Sequence, residues 1–129
     1  MFEKKKSTRR VLIVEDDALL AQVLGKNFSD EHFEVKIVGN GLDALDEVKK
    51  FQPAMILLDL ILPGIDGFAV LTLLKSDEKT KNIPVVVVSN LGDAADVKSV
   101  KALGAVGHFI KANTDLEKIV DFVKSHLHL

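Results

Sequence analysis

The 129-residue sequence contains no cysteine, no tryptophan and no tyrosine. Without cysteine, neither a disulfide framework nor a thiolate metal site can form. The aromatic residues are seven phenylalanines, too sparse for a base-stacking surface. A formal net charge of −2 gives no broad field directed at nucleic acid or membrane. No apolar run approaches the roughly 20 residues that cross a bilayer. The basic start MFEKKKSTRR is followed by only Val11, Leu12, Ile13 and Val14 before acids begin. A signal peptide needs roughly 7–15 apolar residues there. Residues 1–8 therefore read as a solvated basic leader. The expectation is a cytoplasmic domain with neither a membrane nor a direct nucleic-acid partner.

What the sequence does contain is alternation. RVLIVED reads as a buried strand ending in acids, and Leu20, Leu24 and Phe28 recur at helical spacing behind Asp17. FEVKIV alternates like an outer strand, and Gly41 opens a helix with Leu42, Leu45 and Val48 or Lys49 on one face. AMILLDL is a third strand. The helix DGFAVLTLLKS follows it, with Asp66 as its cap. IPVVVVSN is a fourth strand, with a helix after Asp93 marked by Val97 and Val100; AVGHFIK is a short fifth. TDLE at Thr114–Glu117 predicts a capping box, with Leu116, Ile119, Val120 and Val123 behind it. The strands and helices thus alternate five times. Strands separated by helices lie parallel with right-handed crossovers. The expected fold class is α/β: a flavodoxin-like, doubly wound (βα)5 unit over residues 9–126, with a five-stranded parallel sheet in the order 2-1-3-4-5. Residues 127–129 form a short tail.

In such sheets ligands sit at the carboxyl ends of the strands, where the strand order reverses. Strand 1 delivers Glu15, Asp16 and Asp17 to that edge, and strand 3 delivers Asp59. Strand 4 delivers Ser89 and Asn90, and strand 5 delivers Lys111. This explains why a carboxylate ends the apolar run AMILLDL: the strand stops there. Converging carboxylates repel unless a cation intervenes, and their hard oxygens suit Mg2+, which also binds phosphate oxygens. A carboxylate so placed can attack phosphorus and form an aspartyl phosphate. Lys111 and Ser89 then supply charge and a hydroxyl donor for the phosphoryl oxygens. Taken singly, each residue has a plainer explanation. EDD can simply match a helix dipole, Asp59 can form a turn, Ser89 can end a strand, and Lys111 can face solvent. Their convergence on one sheet edge carries the argument.

The motifs VLIVEDD, MILLDLILPGIDGF, IPVVVVSN and GAVGHFIKA resemble the receiver domain of two-component response regulators, over residues 9 to about 126. The spacing of Asp59, Pro63, Asp66 and Gly67 is the most specific part. The resemblance implies that Asp59 is the phosphoacceptor and Asp16 a direct ligand of Mg2+ or Mn2+. Glu15 then supports the ion from behind, and the backbone carbonyl of Ile61 is a further ligand. Ser89 and Lys111 fall on the family's switch hydroxyl and phosphoryl-binding lysine; Asp17 is a helix-start residue. His108 stands where the family mostly has Tyr or Phe, and Ala112 where it usually has Pro. Phe109 is expected to face the core. His108 is expected to act in the switch together with Ser89.

The function implied is phosphoryl transfer from a phosphohistidine donor onto Asp59, with partner affinity switched through the face formed by helix 4, strand 5 and helix 5. The donor would be a sensor histidine kinase or a histidine phosphotransfer protein, and a downstream effector would dock on that face. The domain would promote only its own phosphorylation and dephosphorylation, and so would not be an enzyme on other substrates. It would be either a free-standing receiver or a piece of a longer regulator. A haloacid-dehalogenase-like phosphatase fits less well, because residue 61 is Ile rather than the second Asp of Asp-x-Asp and no cap insertion is visible. A receiver-shaped interaction domain that is never phosphorylated fits poorly with an intact set of acids, Ser and Lys. His126 and His128 have poor helical spacing for a shared metal and read as a terminus.

Overall fold

A computed structural model describes residues 9–129; the basic leader, residues 1–8, lies outside the described residues. The elements alternate as expected: β1 (Arg10–Val14), α1 (Ala18–Asp30), β2 (Glu34–Val38), α2 (Gly41–Phe51), β3 (Met55–Leu58), α3 (Gly67–Ser76), β4 (Val85–Ser89), α4 (Ala94–Ala102), β5 (Gly107–Ile110) and α5 (Leu116–His126). The five strands form one parallel sheet in the order β2-β1-β3-β4-β5. In β1 and β3 the apolar residues are buried on both faces, and β4 is buried along its whole length. Two apolar layers result, because alternate side chains of a strand point to opposite faces. One layer joins Leu12, Ile56, Val85 and Val87 to Ala44, Val48, Val70, Leu71, Leu74 and Val100 of α2, α3 and α4. The other joins Val11, Ile13, Met55, Leu57 and Val86 to Leu24, Phe28, Ile119, Val120 and Val123 of α1 and α5. The partly exposed β2 lies at the sheet edge.

Helix starts follow the local chemistry. Asp17, Asn40, Asp66 and Asp93 each accept backbone N–H bonds at the first turns of α1, α2, α3 and α4, satisfying donors that have no partner within the helix. The fifth helix departs from expectation. The residues after β5 close a short 3-10 turn, Lys111–Asn113, which leaves Thr114 extended and one position too early. Asp115 becomes the cap residue, and no side-chain capping bond forms, so the Thr114–Glu117 capping box is not made. Two apolar assignments also shift. Leu42 is 63% exposed and Val97 40% exposed, while Gly41, Ala44 and Val48 form the buried stripe of α2 and Val100 alone that of α4. Helix orientation is set by the sheet it covers, and a single leucine does not decide it.

The segment from β3 to α3 wraps closely over the strand end. Gly64 has φ +78°, in the left-handed region that glycine occupies without steric cost, directly after Pro63. The Gly67 amide donates to the Leu60 carbonyl at 2.8 Å. A Cβ at Gly67 would fall 2.5 Å from Leu60 Cα and collide with the Asp59 carbonyl. Only glycine lets α3 begin so near the end of β3. Among the described residues, no helix is long and apolar enough to cross a membrane.

Candidate functional site: an acidic pit at the sheet edge

Strand register explains why two carboxylates meet. Val14 pairs with Leu58 across β1 and β3, so the next residues, Glu15 and Asp59, lie side by side at the strand ends. The ladder continues into them: the Asp59 amide donates to the Val14 carbonyl, and the Glu15 amide to the Val38 carbonyl, each at 3.0 Å. Glu15 and Asp59 are buried, each with 4% of its surface exposed. The exposed Asp16 completes a trio in which one carboxylate oxygen from each residue lies within 4.8 Å of the other two.

Lys111, delivered by the end of β5, reaches across the pit. Its ammonium contacts Glu15 Oε1 at 2.6 Å and Asp59 Oδ2 at 2.8 Å. The second oxygen of Asp59 accepts the Ile61 amide at 3.2 Å, and that of Glu15 accepts the Asp17 amide at 3.0 Å. Burial pushes the Glu15 carboxyl above its ordinary range, and the Asp59 charge adds to this. The hydrogen bonds from Lys111 and Asp17 pull in the opposite direction without prevailing. For Lys111, burial disfavours the charge, but the hydrogen bonds and charges of Asp59 and Glu15 outweigh it and hold its pKa above the usual lysine value. Three carboxylates thus face one ammonium, a surplus of negative charge that suits a divalent cation. The oxygen donors and the open side at Asp16 fit an ion that keeps several waters and also binds phosphate oxygens.

The other sequence candidates lie near the pit with different partners. Ser89 is fully buried at the end of β4, and its Oγ accepts the Leu91 amide at 3.3 Å. His108 belongs to β5, and its Nε2 lies 2.7 Å from the Leu91 carbonyl. Phe109 turns to the opposite face and packs edge-on against Phe122 with centroids 5.4 Å apart, as expected of a core residue. Asp17 caps α1. His126 stacks on Phe122. Leu91 was not among the sequence candidates. Its contribution is its backbone, with the N–H bonded to Ser89 and the C=O to His108, and no side-chain pattern signals that.

The chain belongs to the response regulator receiver domain family, whose match runs over residues 11–124. It is 36% identical over 120 residues to sporulation initiation phosphotransferase F of Bacillus subtilis, covering 93% of this chain and 94% of that protein. It is 35% identical over 103 residues to the DNA-binding response regulator MtrA of Mycobacterium tuberculosis, covering 80% of this chain but only 44% of MtrA. Among solved structures, the Mn(2+)-bound form of response regulator Rcp1 superposes with a TM-score of 0.79 at 29% identity, over 91% of this chain and 92% of that one. The acidic trio fits the phosphorylation site of a receiver domain, a signalling module that works with histidine kinases and effectors. The expectation of no nucleic-acid partner gains no support, since relatives such as MtrA are DNA-binding regulators.

Proposed function

We propose that this domain, residues 9–126, accepts a phosphoryl group on Asp59 from a phosphohistidine of a sensor kinase or phosphotransfer protein in the cytoplasm. The observation that carries this is the buried Asp59 carboxylate set between the Lys111 ammonium and the acids Glu15 and Asp16. An Asp59 oxygen attacks phosphorus. The O–P bond forms as the P–N bond breaks, and the leaving imidazole of the donor takes up a proton. The negative charge that builds on the equatorial oxygens is met by Lys111 and by the Ser89 hydroxyl. A bound Mg2+ or Mn2+ would neutralise the remaining charge, held by Asp16, Asp59 and the Ile61 carbonyl, with Glu15 behind them. The acidic pit and the Mn(2+)-bound relative support an ion of this class.

The same residues would serve dephosphorylation, in which water attacks phosphorus, the Asp59 O–P bond breaks and inorganic phosphate leaves, so the domain would regulate its own lifetime in the phosphorylated state. An effector would read that state on the α4–β5–α5 face. The name of the Bacillus relative, a phosphotransferase, supports a place in a phosphoryl relay. Intact-protein mass spectrometry after treatment with acetyl phosphate and Mg2+ tests the reading. One phosphoryl adduct is expected on the native chain and none on Asp59→Asn. An adduct that survives in Asp59→Asn, or that maps to Ser89, refutes it.

A further inference from the structure

Among the described residues, two buried side-chain polar atoms have no hydrogen-bond partner, Arg10 Nε and His108 Nδ1. The second bears on the site. His108 Nε2 faces a carbonyl oxygen, that of Leu91, at 2.7 Å. A carbonyl only accepts, so Nε2 carries the proton and donates it. In the neutral ring Nδ1 is then bare. Protonating the ring in this pose would place an N–H at Nδ1 with nothing to receive it. A buried donor without a partner is costly, and more so when it carries charge.

The surroundings offer the charge no relief. His108 lines a cleft of about 250 Å3 between α4 and β5, together with Val97, Val100, Val106 and Lys101. The charged group that α4 contributes there is the Lys101 ammonium, which repels an imidazolium. From β4 the neighbour in register is Val87. In the loop between β4 and α4, Asp93 is committed to the Asp96 amide. Beyond β5, Lys111 is committed to Glu15 and Asp59. Among the described residues, no carboxylate lines the cleft.

The Leu91 backbone joins this ring to the site through the two peptide groups that flank its Cα. Its carbonyl accepts from His108, and its amide donates to Ser89 Oγ at 3.3 Å. A hydroxyl has two acceptor lone pairs and one proton. With a lone pair held by Leu91, the Ser89 proton remains free to be donated to a phosphoryl oxygen.

We propose that His108 is a positioning residue for Ser89: as a neutral ring it clamps the Leu91 backbone by its carbonyl, and protonation releases the clamp. The clamped pose binds one proton fewer than the released ring, so acidification drives release and alkaline conditions restore the clamp. An imidazole is the side chain suited to change charge between pH 5 and 8. The domain would thereby couple phosphoryl acceptance to proton concentration. This rests on the reading of Asp59 as the acceptor.

The test compares the rate of Asp59 phosphorylation by acetyl phosphate with Mg2+, between about pH 6 and 8, in the native chain, His108→Phe and His108→Gln. Phenylalanine cannot donate. Glutamine can donate to the Leu91 carbonyl but does not titrate. Near pH 8 the native and Gln chains should exceed Phe by about threefold to tenfold, the scale of one neutral hydrogen bond. Near pH 6 the native chain should fall to the Phe rate while Gln does not. A native-to-Phe ratio that stays constant across this range overturns the proposal. NMR of the unphosphorylated protein adds an independent readout: the Leu91 amide should titrate with the His108 ring at one midpoint. A Leu91 amide that ignores the ring overturns the clamp. If the two titrate together but no variant acquires an adduct on Asp59, the reading of Asp59 fails, and the positioning role fails with it.

Discussion

Replacing Lys111 with Met removes one cation from between two buried carboxylates while keeping most of the side-chain volume. The ammonium contacts Glu15 at 2.6 Å and Asp59 at 2.8 Å, with side-chain exposures of 17%, 3% and 5% for the lysine and its two partners. Breaking a buried pair by removing one partner costs about 3–5 kcal/mol, because the remaining charge is left uncompensated. The low end applies here, since burial raises the Glu15 carboxyl and lets it relieve the repulsion by taking up a proton. A loss of about 3 kcal/mol corresponds to a fall in Tm of roughly 10 °C for a domain of this size.

The pH dependence has a definite sign. Burial raises the Glu15 carboxyl above its ordinary value of 4.5, so the native state takes up that proton more readily than the unfolded chain. The corresponding stabilisation is full below the unfolded value and is lost as the pH rises through the raised folded one. Without Lys111 the carboxyl rises further. The deficit of the variant should therefore be largest near neutral pH and shrink on acidification towards the unfolded value. Mg2+ should also restore part of it at neutral pH, by supplying the missing positive charge. Thermal unfolding of both chains at neutral and mildly acidic pH, with and without Mg2+, measures all three effects. A Tm at neutral pH within about 1 °C of the native chain, where roughly 10 °C is expected, would refute the reasoning.

Further outcomes follow from the same geometry. Mg2+ at ten times its Kd should stabilise the native chain by about 1.4 kcal/mol through mass action; Asp16→Asn should abolish most of that shift, and equal Mg2+-dependent Tm changes in both chains would remove Asp16 from the ion site. Gly67→Ala forces a Cβ against the Asp59 carbonyl and Leu60 Cα, so it should lower stability by about 1–3 kcal/mol, the scale of overpacking; urea unfolding would show it, and a native-like midpoint would mean that the turn relaxes freely. Thr80→Val deletes the buried hydroxyl that donates to the Leu74 carbonyl at 2.7 Å and should cost about 1–2 kcal/mol, with acetyl-phosphate labelling of Asp59 unaffected; loss of labelling would show that the effect is not confined to the end of α3.

The sequence alone determined the sheet and the edge that carries the site. Apolar runs ending in acids or Ser mark strands buried on both faces, helical spacing between them implies parallel pairing, and the doubly wound class with its polar second strand suggests the order observed. The meeting of Glu15, Asp16, Asp59 and Lys111 follows from that topology, because strand ends are fixed by local pattern and their adjacency by strand order. Tertiary structure decided the contacts that depend on side-chain reach and on backbone groups. That Lys111 spans both Glu15 and Asp59 is a matter of how far a flexible side chain reaches from the end of β5, past β4, to the ends of β3 and β1. That Asp115 rather than Thr114 ends up as the α5 cap residue depends on the 3-10 turn after β5, which local propensity does not reveal. The exposure of Leu42 and Val97 depends on how α2 and α4 rotate against the sheet. The inward pose of His108 is set by a carbonyl 17 residues away in the chain. A backbone oxygen has no signature in the sequence, since every residue carries one, and only the packed fold selects which of them a side chain meets.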